Sequence, residues 1–325
     1  MKTFEYVSAQ SGKDAVAILE NDFNKVKVIA GGMDLVSELK QHLVEVEKLV
    51  GIGALSEMHY IRKDGGAFQI GATTTLSEIT DHPDIRQSHT ALAEAAGQVG
   101  SPQIRNMGTL GGNLCQRPRC WYYRDENYPC LKKGGAICYS LTGRNKYNAI
   151  FGGGPSYIVH PSDCATALVA LGATVHILGP DGERSLPIDD FFTLPTEILT
   201  RENRLAANEI VTRVDLPATS GKSTYVKFRE KDSYDWALSA VAVVLELDGA
   251  SCKKASIVLG GVAPKPWRAA HAEKVLQGQA ITETLAAKAG EAALEGAEAM
   301  SDNGYKIPLT RNLVKHAILH LAGMG

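Results

Sequence analysis

Leu35, Leu39 and Leu43 fall four residues apart, a spacing that lays apolar side chains along one face of a helix. Just before them, Val26-Lys-Val-Ile-Ala30 reads as a strand, and residues 13–19 read as a short amphipathic helix. Gly31-Gly-Met-Asp34 joins the two, with Asp34 where a helix N-cap belongs. The alternation continues downstream. Residues 48–52 and 68–71 read as strands, 73–79 opens a helix, and 92–99 is an alanine-rich helix leading to a second glycine turn, Thr109-Leu-Gly-Gly-Asn113. The pattern then predicts a strand over 157–163 stopping at a cap, a helix over 165–171 and a return strand over 174–178.

From about residue 222 the texture changes. β-branched runs at 224–229, 239–247 and 255–262 predict three strands of an antiparallel sheet. Helices are predicted over 268–276, 282–300 and 309–321, with Pro264, Pro266 and Pro308 as punctuation. A boundary is expected in the Pro-Ala-Thr-Ser-Gly-Lys stretch at 217–222, and a softer one near 55–60.

At 325 residues the chain exceeds what one hydrophobic core holds, so two or three compact units are expected. Apolar residues at 44% and charged residues at 22% describe an ordinary globular protein, and a net charge of −2 argues against nucleic acid or an anionic membrane as partner. No run approaches the roughly 18 apolar residues that cross a bilayer, so no membrane insertion is expected. No apolar stretch follows Met1-Lys-Thr-Phe-Glu-Tyr as in a signal peptide. The expectation is a cytoplasmic chain, or a periplasmic one if it is exported with a signal-bearing partner.

Two features carry chemistry. Glycine turns let backbone amides point at a ligand, and a helix start adds partial positive charge, so Gly31-Gly32 and Gly111-Gly112 suggest an anionic cofactor. No Gly-x-Gly-x-x-Gly follows a strand, which excludes the Rossmann type of nucleotide site. The second feature is Cys115, Cys120, Cys130 and Cys138, spaced C-x4-C-x9-C-x7-C. Zinc sites use paired C-x2-C knuckles, absent here, whereas an iron–sulfur cluster accepts looser spacing in one long loop. Arg117, Arg119, Lys132 and Lys133 lie among these thiols and are expected to offset thiolate charge. Cys252 reads as a small buried apolar residue, and His160 as packed beside a cofactor. His59, His82 and His89 read as surface or loop residues. His316 and His320 lack the glutamate of a zinc-protease helix and read as a polar helix edge.

The order Ile29-Ala-Gly-Gly-Met-Asp-Leu35, Ile70-Gly-Ala-Thr-Thr-Thr-Leu76, Gly108-Thr-Leu-Gly-Gly-Asn113 and His160-Pro-Ser-Asp163 resembles the FAD-binding subunits of the molybdenum hydroxylase (xanthine dehydrogenase) family. Tyr225–Ala237 and Leu259–Arg268 extend the resemblance over nearly the whole chain. It implies an α+β fold: a two-part FAD-binding domain of the PCMH (vanillyl-alcohol oxidase-like) type, then a C-terminal α+β domain with a three-stranded antiparallel sheet and helices. The parts expected are 1–58, 59–220 with an iron–sulfur loop at 114–150, and 221–325. The resemblance further implies FAD held by Ile29, Ala30, Gly31, Gly32, Met33, Asp34 and Leu35 at its pyrophosphate, with Thr109, Gly111, Gly112 and Asn113 forming a second wall and Thr74 also among the cofactor-binding residues. Ser162 and Asp163 would face ribose or adenine-side hydroxyls, and Lys227 the flavin ring.

The loop resembles that of a subset of these subunits, including 4-hydroxybenzoyl-CoA reductase and bacterial aldehyde oxidoreductases, in which it carries a [4Fe-4S] cluster. Cys120, Cys130 and Cys138 match that subset. Its fourth cysteine is expected near Tyr147, where this chain has none, so Cys115 or Cys164 is the expected substitute. The implied partners are a molybdenum-pterin-binding large subunit and a [2Fe-2S] small subunit, with an external electron acceptor or donor. A stand-alone FAD-dependent oxidase with a structural metal site is the alternative.

Overall fold

Residues 1–324 are described by a computed structural model in which three sheets organise the chain. The first sheet holds β1 (Glu5–Ser8), β2 (Val26–Ile29) and β3 (Lys48–Gly51) in the order β1-β3-β2, all pairs parallel. Parallel neighbours need crossovers. The helices Gly12–Ile18 and Leu35–Lys40 provide them, the first capped by Ser11, whose side chain accepts from the Asp14 amide.

The second sheet is antiparallel, with β4 (Ile61–Asp64), β5 (Ala67–Gly71), β6 (Thr174–Gly179), β7 (Gly182–Pro187) and β8 (Ile210–Leu216) in the order β4-β5-β8-β6-β7. Gly65 and Gly66, at φ 53° and 93°, close the β4–β5 hairpin with a two-residue turn that only left-handed backbone allows. Between β5 and β6 run several short helices and the cysteine loop. The alanine-rich helices Thr90–Gly97 and Asp163–Ala170 pack on each other, and both reach the third sheet. Small side chains permit that close approach, and the second helix is buried along its whole length.

The third sheet contains β9 (Lys222–Phe228), β10 (Ser239–Asp248), β11 (Ser251–Gly260) and β12 (Trp267–Arg268) in the order β12-β11-β10-β9. It has four strands where three are expected. Two residues carry no readable alternation, and the prolines just before them hide the pairing of Trp267 with Leu259. Trp267 also stacks on Phe151, ring centroids 5.0 Å apart. The final helix, Lys306–Leu321, lies across β9 and β10. Its Val314, Ile318 and Leu321 are buried, each contributing about 1.5–3 kcal/mol.

Three other expectations are corrected. Residues 157–162 form no strand; the His160 amide donates to the Ala263 carbonyl, and Pro161 breaks any ladder there. The helix predicted over 282–300 is Glu283–Ala292, because turns follow and Gly296 at φ 80° takes the left-handed conformation. His89 is fully buried, its Nε2 2.9 Å from the Pro217 carbonyl oxygen. No helix among the described residues is long and apolar enough to cross a membrane.

Lys306 is fully buried without a carboxylate partner among the described residues, its Nζ donating to the carbonyls of Tyr147 (3.1 Å) and Gly261 (2.6 Å). Burial pulls its ammonium down to about 7. Between pH 7 and roughly 10.4 the unfolded chain therefore binds more protons than the folded one, and stability rises with pH. Lys306→Met is expected to remove that rise, up to about 1.4 kcal/mol per pH unit. Urea unfolding between pH 6.5 and 9 measures it; an unchanged slope in the variant refutes the assignment.

Candidate cofactor site

The two glycine turns touch. A side chain at Gly31 would place its Cβ 1.8 Å from the Met107 carbonyl oxygen and 3.3 Å from the Gly108 Cα, so only glycine permits this approach. Gly32 follows at φ 71°, the left-handed conformation that turns successive amides to one side. Among the described residues, the amides of Gly31, Gly32, Met33, Asp34 and Leu35 find no acceptor in the protein. They form one wall of a cavity of about 940 Å³, at the upper end for cofactor sites.

The second turn is built differently. Its amides are spent inside the protein: Leu110 on the Thr74 carbonyl (2.9 Å), Gly111 on that of Ala72 (2.8 Å), Gly112 on the Thr109 hydroxyl (3.2 Å) and Asn113 on the Thr109 carbonyl (2.8 Å). Thr109, Gly111, Gly112 and Asn113 thus give the adjoining wall its shape and leave amide donation to the first turn. A Cβ on Gly111 would come within 2.9 Å of the Ala72 Cβ, which is why this wall also needs glycine.

All seven residues from Ile29 to Leu35 line the cavity, as do the four of the second turn. Thr74 does not. Its hydroxyl donates to the Tyr60 carbonyl (3.0 Å) and accepts from the Tyr60 amide (3.2 Å), pinning the turn after β5. Asp34 precedes the helix Leu35–Lys40 but makes no capping bond. Its carboxylate instead takes the Arg117 amide (2.6 Å) and the guanidinium groups of Arg124 (2.7 Å) and Arg119 (2.9 Å).

Ser162 and Asp163 line a second, smaller cavity of about 250 Å³. Ser162 caps the helix Asp163–Ala170 and donates to Asn113 Oδ1 (2.5 Å), tying the second turn to this cavity. Both oxygens of Asp163 are occupied, one by the Tyr225 hydroxyl and the other by Lys227 Nζ at 2.7 Å. Asp163 and Lys227 are therefore a buried ion pair, with Nζ also donating to the Gln98 carbonyl (3.2 Å). His160 packs edge-on against Phe192 beside the cavity, and burial pulls its imidazole down to about 3, so it is neutral at any ordinary pH. The two cavities adjoin where Arg119 lies over the Trp236 ring, 4.3 Å from its centroid; both residues line both cavities.

The four thiols do not gather. Among the described residues no three of His, Cys, Asp or Glu are placed to hold a metal, so the side chains as arranged do not fit a [4Fe-4S] cluster. Cys115 ends the helix Leu110–Leu114 and lines the large cavity, where burial pushes its thiol up to about 12. Cys120 lines the small cavity, with the Asn148 amide nitrogen 3.9 Å from its sulfur. Cys130 is buried, and Cys138 shares a hydrogen bond with Ser140 (3.0 Å). Cys164 lies buried in the helix Asp163–Ala170, its thiol pushed up by burial, and Cys252 is buried as expected. The cations of the loop serve carboxylates. Arg117 Nε and Lys132 Nζ approach the two oxygens of buried Glu202 at 2.7 and 2.8 Å, and the Tyr123 hydroxyl donates to Glu38 (2.7 Å). Nothing in the sequence flagged Glu202 or Glu38, because their partners lie in the loop and not nearby in the chain.

Residues 2–219 match the family "FAD binding domain in molybdopterin dehydrogenase", and residues 223–321 match "CO dehydrogenase flavoprotein C-terminal domain". The aldehyde oxidoreductase FAD-binding subunit of Escherichia coli is 35% identical over 295 residues, covering 89% of this chain and 91% of that protein. The carbon monoxide dehydrogenase medium chain of Hydrogenophaga pseudoflava is 28% identical over 322 residues, covering 97% and 96%. Among solved structures, carbon monoxide dehydrogenase from Hydrogenophaga pseudoflava aligns with a TM-score of 0.79 at 28% identity over 99% of this chain and 98% of that one. Quinoline 2-oxidoreductase from Pseudomonas putida aligns with a TM-score of 0.78 at 25% identity over the whole of both chains.

Gly31→Ala is expected to force the two turns apart and lower FAD affinity at least tenfold. Gly304→Ala, whose nearest neighbour is the Ala299 Cβ at 3.8 Å, should leave it unchanged. Flavin fluorescence titration of the two variants decides; equal affinities refute the role given to the contact.

Proposed function

This chain belongs to the FAD-binding subunits of the molybdenum hydroxylase family, oxidoreductase components, and from that premise we propose a role as its complex's electron relay. FAD, when bound, exchanges electrons singly with one partner and in pairs with another. The chain's own residues position it. In this reading residues 1–58 and 59–220 grip the cofactor from two sides, and residues 221–325 close over one end.

The five unpaired amides at Gly31–Leu35, facing a large cavity, carry the proposal. Such amides suit the oxygens of a diphosphate, since they donate without a counter-charge of their own. Thr109, Gly111, Gly112 and Asn113 then fix the adjoining side. In the same reading the Lys227–Asp163 pair, neutral overall, stands near the ring system, with its Asp163 side bordering the second cavity. Neutral His160 supplies no acid there. The proposed partners are a molybdenum-pterin-binding large subunit and a [2Fe-2S] small subunit. Electrons pass between the latter and an external acceptor or donor. The substrate, an aldehyde or an aromatic compound or its CoA thioester, reacts at the large subunit.

A [4Fe-4S] cluster in the loop 114–150 is retained as a finer reading. Supporting it are four thiols in one segment and the bridge between Cys130 and Ile137, which sets Cys138 next to a residue paired with Cys130. Opposing it is the separation of Cys115 into the large cavity. No step of the relay depends on that cluster.

The anaerobically purified chain is expected to be yellow and to release about one FAD per polypeptide on denaturation. A colourless, folded protein that takes up no FAD sinks the proposal. Iron and acid-labile sulfide analysis of the same sample tests the finer reading: about four of each supports it, and none removes it.

A further inference from the structure

The loop after the second glycine turn returns to the first one through charge. The guanidinium groups of Arg119 and Arg124 and the main-chain amide of Arg117 converge on Asp34, and the side chains of Arg117 and Lys132 share Glu202. Tyr123 lies between, its hydroxyl on Glu38 and its ring within 5.1 Å of the Arg117 guanidinium carbon and 5.5 Å of that of Arg124. Lys27 lines the same cavity as Arg117, Glu38 and Glu202. With Lys27 beside it, the cluster holds five cations (Lys27, Arg117, Arg119, Arg124, Lys132) against three carboxylates (Asp34, Glu38, Glu202), an excess of two positive charges.

That excess is buried or half-buried, where an unmatched charge is costly. Several donors also lack a partner: Arg119 Nε and Arg124 Nη1 are buried without an acceptor, and Arg117 Nε is out of line for a hydrogen bond to Glu202. All but Arg124 of the five cations line the large cavity, beside the five unpaired amides of Gly31–Leu35.

We propose that this arginine loop is a charge clamp for the diphosphate of the bound dinucleotide, with Arg117 and Arg119 as its binding residues and Arg124 positioning them through Asp34. A diphosphate diester carries two negative charges at neutral pH, which match the excess, and guanidinium groups bond phosphate oxygens through paired donors. The inference rests on the FAD reading and extends it. It assigns to the cysteine-bearing segment a contribution to cofactor affinity that needs no metal, and it predicts selectivity for the dinucleotide over phosphate-free riboflavin.

The test uses the full chain with flavin removed. FAD and riboflavin affinities are read by fluorescence titration for wild type, Arg117→Gln, Arg119→Gln and Arg119→Lys. The Gln variants are expected to bind FAD at least tenfold more weakly with riboflavin affinity unchanged, and Arg119→Lys, which keeps the charge without the paired donors, to recover only part of the loss. In a second arm, millimolar inorganic pyrophosphate should raise the Tm of the wild type and not that of Arg119→Gln. FAD affinities within twofold of wild type, or an equal loss for riboflavin, overturn the clamp, as does a wild-type Tm indifferent to pyrophosphate. Should the wild type take up no FAD, the relay reading fails, and the pyrophosphate arm still decides the clamp.

Discussion

The contact between Gly31 and the Met107 carbonyl is the constraint on which the site depends. It brings two turns, separated by more than seventy residues of chain, to a distance that no side chain could tolerate. The division of labour follows from it. The first turn keeps its amides free, because its partner is a carbonyl meeting a bare Cα. The second spends its amides on Ala72, Thr74 and Thr109 and so becomes rigid. A rigid turn packed against one with free amides is a preorganised anion site, with little ordering left to be done when a ligand arrives.

Electrostatics builds the next layer. The loop cations, which the sequence places among thiols, pair in the structure with Asp34 and Glu202. This changes what the cysteine spacing means. Cys115 sits where burial holds its thiol protonated, in the lining of the large cavity, while Cys120 lines the smaller one. An iron–sulfur cluster requires thiolates brought together. The loop as folded is held by carboxylates, an aromatic ring and backbone turns.

Much of this was legible in advance. The period-four leucines, the β-branched runs and the two Gly-Gly turns located most elements and the large cavity, since local periodicity and glycine chemistry act over a few residues. Long-range pairings were not legible. Asp34 stands at a helix start, and its capping chemistry concealed that three arginines, 83 to 90 residues further along the chain, would claim it. Asp163 read as a ligand-facing acid; it lines the small cavity, and its ion pair with Lys227 and bond from Tyr225 on β9 were not foreseen. His89 read as a surface or loop residue; it does join two helices, but fills the core against Phe68, ring centroids 5.2 Å apart. Thr74 read as a cofactor-binding residue and bonds Tyr60. In each case the tertiary partner outweighed the local signal.

The stacking of Arg119 on Trp236 has a consequence for engineering. The guanidinium comes from the portion matching the first family and the indole from the portion matching the second. The partition between the cavities is thus composite, and the same holds for the buried charge of Asp163, quenched across that divide by Lys227. A chimera joining residues 2–219 to a foreign carboxyl-terminal half would inherit both glycine turns. It would also inherit a naked carboxylate and an unroofed arginine, unless the graft supplied a lysine and an aromatic ring at matching positions.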